Sequence, residues 1–99
     1  MAENKLKTLE TLDPELLSMV QEAQTFAFND GALPKKVKFL IAVALDAAHG
    51  KYDGVNQLAR LAMGAGATKQ EIAEALRVAY YIGGAGCAFT ASIGLKDTF

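Results

Sequence analysis

The sequence predicts an all-α domain, a compact bundle of about five helices, on three observations. Apolar residues recur at three- and four-residue spacings in successive segments from Leu16 to Ala79. Helix start and stop signals bracket those segments, from Asp13-Pro14 through Gly50 to Thr68 and Gly83-Gly84. No alternating apolar–polar run long enough for a strand is found.

Residues 1–10 are polar and read as flexible or loosely helical. Asp13 before Pro14 is an N-cap followed by a first helical residue with its φ already set. The helix it opens carries Leu16, Val20, Ala23 and Ala27 on one face, with Leu17, Met19 and Phe26 alongside. Asn29-Asp30-Gly31 closes it with residues that tolerate left-handed backbone. Pro34 opens a second helix with a main stripe of Val37, Leu40, Ile41, Ala44, Leu45 and Ala48. Phe39, Val43 and Ala47 extend that stripe around most of the circumference, the pattern of a helix buried on most sides. Lys38, Ala42, Asp46 and His49 form its narrow polar arc, and Gly50 ends it.

A third helix spans about Asp53–Met63, with Val55, Leu58, Ala59 and Ala62 inward, and Gly64 to Gly66 make the turn after it. Thr68 and Glu71 stand as Thr-x-x-Glu, a capping box that fixes the start of the fourth helix. Ile72, Ala75, Leu76, Ala79 and Gly83 form its inner face. Glu74, Arg77 and Tyr81 lie opposite, where Glu74 and Arg77 can pair. After Gly83-Gly84 a small-residue segment to Ile93 reads as a fifth, closely packed helix.

A chain of 99 residues is one domain, 1–99, with no linker, repeat or low-complexity tract. Its hydrophobic fraction of 52% is more than so short a chain easily hides, so part of that surface is expected against another subunit. Ten basic and eleven acidic residues leave no basic stripe for nucleic acid. The longest apolar run, Phe39–Leu45, is far too short to span a bilayer, and the first residues are not a signal peptide. One cysteine allows no intrachain disulfide. These observations read as a cytoplasmic protein without membrane or nucleic-acid partners.

Two segments carry a resemblance. Lys38-Phe-Leu-Ile-Ala-Val-Ala-Leu-Asp-Ala-Ala-His-Gly50 is one, and Ala62-Met-Gly-Ala-Gly-Ala-Thr-Lys-Gln-Glu-Ile-Ala-Glu-Ala-Leu-Arg77, running on to Tyr80-Tyr-Ile-Gly-Gly84, is the other. Together they resemble the core of carboxymuconolactone decarboxylase or alkylhydroperoxidase-D type domains. The resemblance implies a helical bundle assembled through its apolar helices as a homo-oligomer, trimer or hexamer. Redox members carry Cys-x-x-Cys and then His, with a Glu upstream. Counted back from Thr68, those positions fall on Lys51, Gly54, Leu58 and Phe39, so none of the four residues is kept. Disulfide-cycling peroxidase chemistry is excluded at this place, because it needs two sulfurs in bonding reach. The lactone-decarboxylating branch also lacks the cysteines, but its usual His falls on Leu58.

The remaining candidates come from this chain's own residues. Asp46 and His49, at i and i+3, lie about 60° apart on the second helix, where a carboxylate can orient an imidazole as general base. The other reading of His49 is a cation at a helix C-terminus. Cys87 is either a small packing residue or the thiol of a one-cysteine, peroxiredoxin-like peroxidase that an external thiol must recycle. Arg77, with Tyr80 and Tyr81, is a solvated face or a clamp for a carboxylate ligand. The glycines form no phosphate loop, since no strand precedes them. No cofactor or metal is implied. The functional expectation is a decarboxylase-like protein, a lyase if it is an enzyme, that acts on or binds a small acidic molecule between subunits. A non-catalytic oligomeric binding or accessory protein is the alternative, and a Cys87 peroxidase is the third.

Overall fold

Among residues 4–99, which a computed structural model describes, there are six helices and no strand. Helix α1 (Lys7–Leu12) and helix α2 (Pro14–Phe28) meet at Asp13. The Asp13 N–H donates to Leu9 O and closes α1, while its carboxylate accepts from the Leu16 N–H at 3.0 Å and opens α2. Of residues 1–10, read as flexible or loosely helical, 7–10 belong to α1; residues 1–3 lie outside the described residues.

Between α2 and α3 (Lys35–Ala48) the chain turns without any left-handed residue. Asn29 is extended, and the expected left-handed close at Asn29-Asp30-Gly31 does not form. Side chains hold this turn instead. Asp30 accepts from the Lys35 N–H at 2.6 Å, and the Lys38 ammonium reaches back to Asn29 O at 2.6 Å.

Helix α3 is the central element, packed against α4 (Tyr52–Gly64), α5 (Lys69–Gly83) and α6 (Gly86–Gly94). Its buried residues are Phe39, Val43 and Ala47, spaced by four along one line. Periodicity assigned the main stripe to the neighbouring arc, yet Ile41 and Leu45 on that arc are exposed. A helix apolar nearly all round has two candidate inner faces, and spacing alone does not rank them. Val43, Ala47, Val55, Ala59, Ile72, Ala79 and Cys87 form the larger core cluster. Phe39, Ala62 and Ala67 form a second, with Phe28 stacked on Phe39 at a ring separation of 5.0 Å.

The capping box forms as expected. Thr68 Oγ1 accepts from the Glu71 N–H, and Glu71 Oε1 accepts from the Thr68 N–H. Glu71 Oε2 also takes the Lys36 ammonium at 2.9 Å, tying α5 to α3. The backbone bond from Thr68 first, and Lys36 second, hold the Glu71 carboxyl below its ordinary value. Gly50 and Gly66 end α3 and α4 with positive φ, 74° and 101°, a backbone region that glycine enters freely.

Helix α2 buries no residue at all. Phe26 is 88% exposed, and Met19, Leu16 and Leu12 share that fate. Near the end of α5 and on α6, Tyr81, Ile82 and Phe89 are likewise open. No helix among the described residues is long and apolar enough to cross a membrane.

Candidate functional site

The carboxylate of Asp46, on the last turn of α3, lies on Gly54 at the start of α4. A Cβ built on Gly54 would fall on the Asp46 Oδ2 and come within 2.9 Å of its Cγ. The glycine is what lets the acid lie there. Asp46 is half-buried, and its carboxylate accepts no hydrogen bond among the described residues. A carboxylate with its lone pairs unused is open to a hydrogen-bond donor of a ligand.

The surroundings explain how this differs from the redox pattern. Phe39 is buried against Phe28 and Ala62, and Leu58 packs against both core clusters. Both residues are thus part of the apolar packing. Lys51 is exposed just ahead of α4. At the Gly54 position a carboxylate is at hand, supplied by Asp46 from α3.

His49 does not join Asp46. Its Nδ1 donates to Leu45 O, one turn back on its own helix, at 2.7 Å, and the ring is exposed at the α3 C-terminus. The expected carboxylate–imidazole contact is absent, because the nearer carbonyl takes the ring. Cys87 is only 2% exposed, and its thiol donates to Ala79 O at 3.3 Å. Gly83 lies against it. That setting gives the thiol no access to solvent.

Arg77, Tyr80 and Tyr81 are all exposed on α5. Arg77 forms no ion pair among the described residues, and the expected Glu74–Arg77 pair is not made, since Glu74 accepts from Gln70 at 3.0 Å. No group of three His, Cys, Asp or Glu side chains that could hold a metal occurs among the described residues.

A cleft of about 770 Å³ lies elsewhere, between the outer face of α4 and the C-terminal turn at residues 94–98, and Asp46 does not line it. Arg60 and Asn56 do, joined by a hydrogen bond of 3.1 Å from Arg60 Nε to Asn56 Oδ1. Sequence reading passed over this pair. Its signal was an amide four residues before an arginine on the polar face of α4, a spacing that brings them together.

Three comparisons bear on this arrangement. The model of the carboxymuconolactone decarboxylase family matches residues 14–95. The fold is similar to the crystal structure of an apo carboxymuconolactone decarboxylase family protein from Legionella pneumophila, with a TM-score of 0.86 and 32% identity. That alignment covers 93% of this chain and 82% of the Legionella chain. No curated protein matches the chain.

Proposed function

This chain belongs to the carboxymuconolactone decarboxylase family, and we propose that within it the protein is a non-redox member. In this reading it is a homo-oligomer that acts on, or binds, a small acidic molecule at Asp46, in a pocket completed by a neighbouring copy. The observation that carries the proposal is the Asp46 carboxylate lying on Gly54, unpaired, at the position resembling the second redox cysteine.

The chemistry fits a decarboxylation of the family's kind. When a lactone acid loses CO2, an electron pair stays on carbon and must be met by a proton. A half-buried carboxyl can deliver that proton and recover it from water, and such acid–base help contributes about 10²- to 10⁴-fold. The exposed, unpaired Arg77 is available to the ligand's carboxylate, with Tyr80 and Tyr81 beside it. The pocket is completed by assembly in this reading, because exposed apolar residues on α2, α5 and α6 are more than a small monomer usually carries.

The test is turnover and binding of 4-carboxymuconolactone by wild type, Asp46→Asn and Cys87→Ser. Asp46→Asn is expected to lose at least about a hundredfold in turnover, or its binding, while Cys87→Ser keeps both. Equal behaviour of Asp46→Asn and wild type would remove the proposal. A second reading, an assembled binding or accessory protein without catalysis, is favoured by His49, whose ring is held by its own helix and gives Asp46 no partner. Binding that needs Asp46, without turnover, would select it.

A further inference from the structure

We propose that the cleft between α4 and the C-terminal turn is a second small-molecule site, built for a carboxylate that also carries a hydrogen-bond donor and an apolar body. Its volume of about 770 Å³ is that of a site for a small organic ligand.

Arg60 is the anchor. Its Nε donates to Asn56 Oδ1, and Asn56 is itself fixed, donating from Nδ2 to Gly94 O at 2.8 Å and to Thr98 Oγ1 at 3.0 Å. A chain of bonds from the C-terminal turn thus orients the guanidinium before any ligand arrives. Pre-orientation lowers the ordering cost of binding. The bond through Nε leaves the two terminal nitrogens free, and among the described residues no carboxylate lies in ion-pair reach of Arg60. A planar guanidinium with that edge open matches a carboxylate through two parallel hydrogen bonds.

The other walls narrow the ligand further. Asp53 and Asp97 line the same cleft, alongside Lys5 and Lys96, and offer acceptors to a hydroxyl or ammonium. Leu61 and Ile93, 45% and 53% exposed, give the apolar wall. A phosphate dianion gains nothing from the apolar side. A hydroxy acid or amino acid with an apolar side chain satisfies all three walls. The site is separate from Asp46, which faces Gly54 and lies outside the cleft.

The experiment is a titration of the native protein followed by amide NMR shifts. The probes are 3-phenyllactate, L-phenylalanine, 3-phenylpropionate, which lacks the donor, and inorganic phosphate. Saturable shifts confined to residues 53–61 and 93–98 are expected with phenyllactate or phenylalanine. Binding of 3-phenylpropionate is expected to be weaker, and Arg60→Gln to weaken binding of the favoured probe at least tenfold. Arg60 is exposed, so that variant is expected to keep the wild-type spectrum elsewhere. Asn56→Ala, which frees Arg60 without removing it, is expected to fall between the two. No saturable shift at millimolar probe, shifts with phosphate alone, equal binding of 3-phenylpropionate, or unchanged affinity in Arg60→Gln would each overturn the proposal.

Discussion

Asp46 and Gly54 share one volume: the acid's carboxylate occupies the space that any side chain at 54 would need. The pairing joins the end of α3 to the start of α4, so the glycine makes room for the carboxylate rather than for a turn. Gly54 lies inside α4, where an alanine would favour the helix by up to about 1 kcal/mol.

Two other glycines mark close contacts of a different kind, and they should behave differently from each other. A Cβ at Gly94 would come within 2.5 Å of Tyr52 O, a backbone atom that cannot rotate away. Gly94→Ala is expected to destabilise the fold by about 1–3 kcal/mol, read by denaturant unfolding. At Gly83 the obstacle is the Cys87 Sγ at 2.5 Å, so Gly83→Ala should be destabilising alone and partly relieved by Cys87→Ala.

Cys87 is expected to be inert in the native state. An aromatic disulfide reagent should leave it unmodified over the time in which the unfolded chain reacts fully, and hydrogen peroxide should add no oxygen by mass. Burial to 2% and the bond to Ala79 O are the cause. Rapid native modification would restore the single-thiol reading.

Glu71 makes stability depend on pH in a stated direction. Its carboxyl is held below the ordinary value by the Thr68 N–H and then by Lys36. Its stabilising contribution is therefore whole above the ordinary carboxylate pKa, about 4.3, and is lost as pH falls from there through the lowered value. Glu71→Gln should flatten the acid limb of the stability curve, and added salt should weaken the Lys36 share. Thr68→Ala, which removes the cap, should cost about 1 kcal/mol at neutral pH.

Much of the fold was legible because local signals carried it. The capping box, Asp13-Pro14 and the glycine stops set the helix limits, and the small residues of α6 announced its tight packing around Cys87 and Ala91. What escaped was three-dimensional. Spacing placed Asp46 with His49 on one helix and did not show that Leu45 O would take the imidazole. Nor did it show that Asp46 would reach across to α4, since a contact between residues on two helices has no period. The relay from the C-terminal turn through Asn56 to Arg60 was hidden for the same reason.

The apolar residues left open in one chain lead to an assembly prediction. Sedimentation of the native protein should give three or six times the protomer mass. Ile82→Glu or Phe26→Glu, both at positions more than three-quarters exposed in the single chain, should lower it without unfolding the protomer. A monomer at micromolar concentration would contradict it.

The most direct measurement is made on Gly54→Ala, because it keeps every functional group and moves one. The three atoms nearest the new methyl group all belong to the Asp46 side chain, so the carboxylate is expected to turn aside and the fold to hold, with a melting temperature at or above that of wild type. Binding or turnover of 4-carboxymuconolactone is then predicted to fall to the level of Asp46→Asn. A well-folded Gly54→Ala protein with wild-type binding and turnover would contradict a role for the Asp46 carboxylate in binding or proton transfer.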